Sequence, residues 1–162
     1  MTAPITQGRN IPITNEAEIR FLAKLGRQEG IIEDDEAELI QRVFHLNDVT
    51  AIELMTPRVA LTALKGELTL SEAKADIIAS SHSRIVIYGE SIDEVLGIAL
   101  KDHLLTELVE AKGDQTLESL ARRVRFVPET IQADRLLQKF QSTREHLAIV
   151  SDEYGGISGV VT

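Results

Sequence analysis

The chain runs twice through one order of elements, and this repetition limits its fold more than any other feature. The centre of the first pass is Arg84 to Asp102. There the β-branched run Arg84-Ile85-Val86-Ile87-Tyr88 meets the turn-forming Gly89-Glu90-Ser91, and a second apolar run, Val95 to Leu100, follows. Ahead of it lie a candidate strand over Val59 to Leu64 and a helix over Leu70 to Ala79. Thr69 is placed to cap that helix and Glu72 to complete a capping box. A helix from about Asp102 to Glu110 comes after. The second pass reads Val124 to Val127 as a strand, Ile131 to Phe140 as a helix, His146 to Val150 as a strand, Ser151 to Gly156 as a turn and Ile157 to Val161 as a strand. An offset of 62 residues aligns Ile85-Val86-Ile87 with Leu147-Ala148-Ile149, and Leu96 to Leu100 with Ser158 to Thr162. Two copies of one supersecondary unit explain this order better than two unrelated halves. The second copy lacks the closing helix of the first, so the sequence reads as a fragment of a longer polypeptide.

The remainder precedes the repeat. Residues 1–13 hold two Pro and one Gly without periodicity and read as a tail. Thr14 or Asn15 is a candidate N-cap for a helix carrying Ile19, Leu22 and Leu25 on its apolar stripe, with Gly26 or Gly30 as its stop. A second helix begins near Glu33-Asp34-Asp35-Glu36 and carries Leu39, Ile40, Val43 and Phe44. Its acidic start is the electrostatics of a helix N-terminus rather than a metal site, because no ordered ligand spacing accompanies it. Ala51 to Met55 forms a short helix that Thr56-Pro57-Arg58 ends, since Pro57 removes a donor and pushes Thr56 toward extended geometry.

With 17 basic and 26 acidic residues the net charge is −9, which disfavours non-specific attraction to nucleic acid or anionic lipid but permits a local anion site. The chain has no Cys, so disulfides and thiolate metal sites are excluded. No apolar run approaches the roughly 20 residues that span a bilayer. No acid–base–nucleophile constellation is visible, the four His are scattered without metal spacing, and a Ser in a GxSxG elbow is lacking. These features point away from an enzyme.

Six stretches together resemble a known family: GIIEDDEAELIQRVFHLND (30–48), LMTPR (54–58), HSRIVIY (82–88), IDEVLGIALKD (92–102), FVPET (126–130) and DEYGGISGVVT (152–162). In this order they resemble the pair of cystathionine-β-synthase-type (CBS) domains of the CorC/HlyC magnesium and cobalt efflux family, related to the CNNM transporters, and they cover about residues 14–162. The resemblance implies an α+β fold of tandem β-α-β-β-α units in a pseudo-twofold (Bateman) module, preceded by a helical linker region. The expected organisation is a tail at 1–13, the linker at 14–53, a first CBS domain at 54–112 and a second, truncated one at 113–162. It further implies homodimers and clefts that bind adenosine nucleotide, AMP or ATP, with Mg²⁺ accompanying ATP. A membrane domain and a C-terminal domain attached to a cytoplasmic fragment are implied as well, with the parent in the cell inner membrane.

Such nucleotide sites carry a Gly-apolar-apolar-Thr/Ser-x-x-Asp motif, the hydroxyl facing phosphate and the carboxylate facing ribose. Gly159-Val160-Val161-Thr162 matches its first part. Gly97 to Asp102 departs from it, with Leu100 at the hydroxyl position and Asp102 one residue early. The candidate nucleotide-binding residues are Thr56, Pro57, Arg58, Arg84, Asp102, Tyr154 and Thr162. Each has a structural alternative. The alternative for Thr56-Pro57-Arg58 is a helix stop with a structural ion pair, for Arg84 a domain or dimer salt bridge and for Asp102 a helix cap. Tyr154, beside Gly155-Gly156, either stacks on adenine or packs as part of a turn. Two functions follow, a regulatory nucleotide-binding module or a structural dimerisation module with vestigial clefts.

Overall fold

The computed structural model describes residues 15–162; the expected tail at 1–13 and the candidate cap Thr14 lie outside them. The chain divides into two compact units, one ending at Asp48 and the other running from Val49 to Thr162.

In the first unit, α1 (Glu16–Gln28) starts at Asn15, whose side chain accepts the Glu18 N–H at 2.9 Å. The helix runs through Gly26 and ends before Gly30, whose φ of +71° is the left-handed turn that glycine adopts without strain. In α2 (Asp34–His45) the acidic start serves capping: the Glu36 carboxylate accepts the Glu33 N–H at 2.9 Å. No group of His, Asp or Glu suited to a metal exists among the described residues. The two helices pack on each other, burying Ala23 and Ala37, and Arg20 lies 5.1 Å from the centre of the Phe44 ring. The expected apolar stripes stay largely exposed at Leu22, Leu39 and Val43.

The second unit is layered as helices, sheet, sheet, helices. Its elements are α3 (Ala51–Leu54), β1 (Thr56–Pro57), β2 (Ala63–Lys65), α4 (Leu70–Ala79), β3 (Arg84–Tyr88), β4 (Val95–Leu100) and α5 (Lys101–Val109). They continue with α6 (Leu117–Leu120), β5 (Arg125–Pro128), α7 (Ala133–Thr143), β6 (Ala148–Ser151) and β7 (Ile157–Val161). One sheet has the order β2-β3-β4 and the other β1-β7-β6-β5. In each, a parallel pair joined through a helix is followed by an antiparallel hairpin.

Alternate residues of each strand divide between two cores. On the first sheet Ile85, Ile87 and Ala99 pack under α4, α5 and α6 with Leu70, Ile77, Leu104 and Leu117. On the second, Ala148, Val150 and Val161 pack under α3 and α7 with Ala51 and Leu136. Between the sheets Val86, Ile98, Ile149, Ile157 and Val160 form a third core. Each fully buried Leu or Ile contributes about 1.5–3 kcal/mol, so the aliphatic sheet interior dominates stability.

Three expectations need correction. The strand expected over Val59 to Leu64 is only Ala63–Lys65; Arg58–Ala60 form a 3₁₀ turn and Val59 is 93% exposed. The reason is topological. β1 is committed to β7 in one sheet and β2 to β3 in the other, so the chain must cross between sheets here. The uniform 62-residue offset also fails. Val86 faces Ile98 as Ile149 faces Val160, so the second strand of each copy is displaced by 63 residues and only the last by 62. The hairpin loop holds six residues in the first copy (89–94) and five in the second (152–156). A one-residue slip moves every side chain to the opposite face. Finally, α6 is an element beyond those expected from the sequence; Thr116 caps it and its Leu117 fills the first core.

Chain order and sheet membership part company twice. α3 and β1 belong to the second sheet, whereas α6 packs on the first.

Candidate nucleotide clefts

Two glycines set the geometry of the site. Gly159 of β7 lies opposite Pro57 of β1, and a Cβ there would overlap the Thr56 carbonyl oxygen. Gly97 of β4 does the same for the chain around Arg122: a Cβ would overlap the Arg122 carbonyl, and Ile98 and Arg122 exchange two backbone hydrogen bonds of 2.9 Å. Only glycine lets another backbone lie so close to a strand. Thr56 and Arg122 are therefore counterparts, each held beside the end of a hairpin.

The first cleft, a cavity of about 330 Å³, opens beside Thr56. Leu61, Val86, Ile98, Leu147 and Val160 give it an apolar floor, and Thr56, Ser81, His82, Ser83, Arg84 and Thr162 a polar rim. The 80–83 loop is held by a chain of hydroxyls. Ser80 Oγ accepts the His82 N–H (3.1 Å) and donates to Thr62 Oγ1 (3.0 Å), which lies 2.9 Å from His82 Nδ1. The His82 tautomer decides which of Thr62 Oγ1 and Nδ1 donates. Lys101 closes the arrangement. Its Nζ donates to the carbonyls of Ser80 (2.6 Å) and Ile78 (3.1 Å) at the C-terminus of α4, and its N–H donates to the Ser83 carbonyl (2.9 Å).

Of the seven residues singled out in the sequence, Thr56, Arg84 and Thr162 meet in this cleft. Pro57 sits in β1 opposite Gly159. The Arg58 guanidinium is paired with Asp93 at 2.7 Å. Asp102 stands in the first turn of α5, not at its N-cap, which is Leu100. Tyr154 is 95% exposed at the tip of a turn that Asp152 organises, accepting the N–H groups of Tyr154 (2.9 Å) and Gly156 (2.8 Å). Ser81, His82 and Ser83, which are not among those seven, also line the cleft, and their position directly before β3 is the sequence signal for them.

The second cleft, about 290 Å³, is the internal counterpart of the first. Leu100 stands where Thr162 does, Val124 where Leu61 does, Glu145 where His82 does, and Arg84 and Leu147 exchange places. Its rim carries Arg84, Arg122, Arg123 and Arg125. Arg125 pairs with Glu145 at 2.6 Å, and the guanidinium first, then the Thr143 hydroxyl, hold the Glu145 carboxyl below its ordinary range.

No family model matches this sequence. The UPF0053 protein sll1254 of Synechocystis sp. is 59% identical over 162 residues, the whole of this chain and 47% of that protein. The magnesium and cobalt efflux protein CorC of Escherichia coli (strain K12) is 34% identical over 148 residues, 91% of this chain and 51% of that one. Among solved structures, the CBS domain of the bacterial CNNM/CorC family Mg²⁺ transporter superposes with a TM-score of 0.84 at 33% identity, covering 93% of this chain and 92% of that chain. The chain belongs to the CNNM/CorC family. A CBS domain of the bacterial CNNM/CorC family Mg²⁺ transporter in complex with ATP superposes on this CNNM/CorC chain with a TM-score of 0.73 at 36% identity, covering 79% and 91% of the two chains. The α+β CBS-pair fold implied by the sequence is the fold observed. The CNNM/CorC chain spans about half the length of the curated relatives it matches. Among its described residues no helix is long and apolar enough to cross a membrane.

Proposed function

We propose that this chain is a regulatory, non-catalytic module that binds an adenosine nucleotide, AMP or ATP, in its first cleft. The observation that carries this reading is the convergence of Thr56, Arg84 and Thr162 over an apolar floor. A flat base suits such a floor, while two hydroxyls and a guanidinium suit phosphate and sugar oxygens. A related CBS domain solved in complex with ATP supports it. Mg²⁺ accompanies ATP, because a chain of net charge −9 repels a bare polyphosphate. The module works as a homodimer on the cytoplasmic side of an inner-membrane magnesium or cobalt efflux protein. It regulates by binding nucleotide more tightly in one dimer arrangement than in another.

Calorimetric titration with AMP and with ATP, each with and without Mg²⁺, tests the reading. Saturable binding that weakens in Thr162→Val and in Arg84→Ala is the expected result. Equal affinity in the wild type and both variants would overturn it. A structural dimerisation module with vestigial clefts is the second reading, favoured by Leu100 at the position where the first cleft has Thr162. It predicts no saturable binding and unchanged dimerisation in all three proteins.

A further inference from the structure

The second cleft departs from the first in charge. Four arginines, Arg84, Arg122, Arg123 and Arg125, line it in a chain whose acidic residues outnumber its basic ones, 26 to 17. Arg125 is neutralised by Glu145. The side chains of Arg84, Arg122 and Arg123 hold no hydrogen bond or ion pair with any described residue. Acidic side chains are abundant enough to pair all three, yet among the described residues Glu145 is the only carboxylate lining the cleft, and Arg125 and the Thr143 hydroxyl engage it.

Backbone pairing places these residues at the cleft. Arg122 is clamped to Ile98 by two 2.9 Å hydrogen bonds, an approach that the missing Cβ of Gly97 permits. Arg84 opens β3 opposite Leu100, and Arg125 opens β5 opposite Ala148. The features that suit a nucleoside in the first cleft are replaced. Arg122 stands for Thr56 and Leu100 for Thr162, so two hydroxyls are lost and one cation is gained.

We infer that the second cleft is a binding site for an oligophosphate chain, recognised through its phosphates and not through a nucleoside. Planar guanidinium forks match phosphate oxygens two at a time, and a concave site of about 290 Å³ suits a compact, highly charged anion. Nucleic acid fits poorly, because the overall charge of −9 repels its extended backbone. The inference does not rest on nucleotide binding in the first cleft.

The test is calorimetric titration of the purified chain with inorganic tripolyphosphate, with ATP and with adenosine at physiological ionic strength. Three variants accompany the wild type: Arg122→Ala/Arg123→Ala, Arg122→Lys/Arg123→Lys and Thr162→Val. Circular dichroism and thermal melting establish that each is folded. The expected result is saturable tripolyphosphate binding at one site, weakened about ten-fold or more in the double alanine variant. The double lysine variant recovers part of that loss, Thr162→Val leaves tripolyphosphate binding unchanged, and adenosine does not compete. In Thr162→Val, where the first cleft has lost a hydroxyl, ATP matches tripolyphosphate; a clear advantage for ATP in that variant would mean that the nucleoside is read at this cleft and would overturn the inference. Equal tripolyphosphate binding in the wild type and the double alanine variant would also overturn it, as would displacement by adenosine. Absence of binding together with a changed oligomeric state in the double alanine variant would assign the arginines to a partner's carboxylates instead. Loss of first-cleft ATP binding in Thr162→Val with tripolyphosphate binding intact would separate the fate of this cleft from that of the first.

Discussion

Arg58 Nη1 donates to Asp93 Oδ1 at 2.7 Å, and the same oxygen accepts the backbone N–H of Ile157 at 3.1 Å. One carboxylate thereby ties the turn after β1 to the β3–β4 hairpin loop and to the start of β7. Both charged side chains are about half exposed, so solvent screens much of their attraction. Asp93→Asn keeps the shape and removes the charge. The expected loss is about 1 kcal/mol, read as a lower urea midpoint at unchanged slope. In a double-mutant cycle with Arg58→Met, the coupling should be smaller than the Asp93→Asn loss, because the Ile157 N–H keeps part of the interaction.

Gly97 and Gly159 tolerate no side chain. Gly159→Ala forces a Cβ into the Thr56 carbonyl, and Gly97→Ala forces one into the Arg122 carbonyl. Each is expected to cost about 1–3 kcal/mol, since the obstacle is backbone and cannot rotate away. The two separate in binding: Gly159→Ala should weaken nucleotide binding in the first cleft more than Gly97→Ala does. Equal melting temperatures for the wild type and both variants would refute the packing argument.

Lys101 links helix capping to the first cleft. Lys101→Met keeps the aliphatic stem and removes the donations to the Ser80 and Ile78 carbonyls. A loss of about 1–2 kcal/mol is expected, from two charge-assisted bonds at a helix C-terminus, tempered by partial exposure. Hydrogen exchange should rise first in residues 80–83, the segment those carbonyls anchor, and nucleotide affinity should fall although Lys101 does not line the cleft.

Glu72 predicts an acid dependence. Its carboxylate accepts the Thr69 N–H and the Thr69 hydroxyl, both at 2.8 Å, and these bonds, the backbone one foremost, hold its pKa below the ordinary glutamate value of 4.5. A depressed folded-state pKa means that the stabilisation is fully present above pH 4.5 and is lost as the pH falls through the lower, folded value. The denaturation midpoints of the wild type and Glu72→Gln should therefore differ near neutral pH and converge in acid. A gap constant with pH would show that shape and not charge makes the cap.

Strand order was legible because β-branched runs, turns and capping residues mark the elements locally. Register was not. Ile85, Val86 and Ile87 are all buried, as are Ala148, Ile149 and Val150, since each sheet is covered on both faces. A strand buried on both sides shows no alternation, so the sequence alone cannot say which residues face which core. The run from Val59 to Leu64 misled for a related reason: its apolar residues serve a crossing between sheets, which composition does not distinguish from a strand. Thr56, Arg84 and Thr162 share a cleft through long-range pairing, while Tyr154 and Arg58, equally prominent in the sequence, are drawn off by a turn and by Asp93. Arg122, Arg123 and Arg125 stood close together in plain view, but their meeting with Arg84 depends on Gly97 admitting the Arg122 backbone.

The pairing of Thr56–Pro57 with Ile157–Val161 has a consequence for synthesis of the protein. A chain leaving the ribosome from its N-terminus offers β1 no partner until nearly all of the second copy has emerged, whereas β2, β3 and β4 find one another early. Thr56 and Thr162 come to face one cavity only in that last step. A half-made chain can therefore hold a settled first sheet but no first cleft, and on the proposed reading an interrupted translation product should bind no nucleotide there.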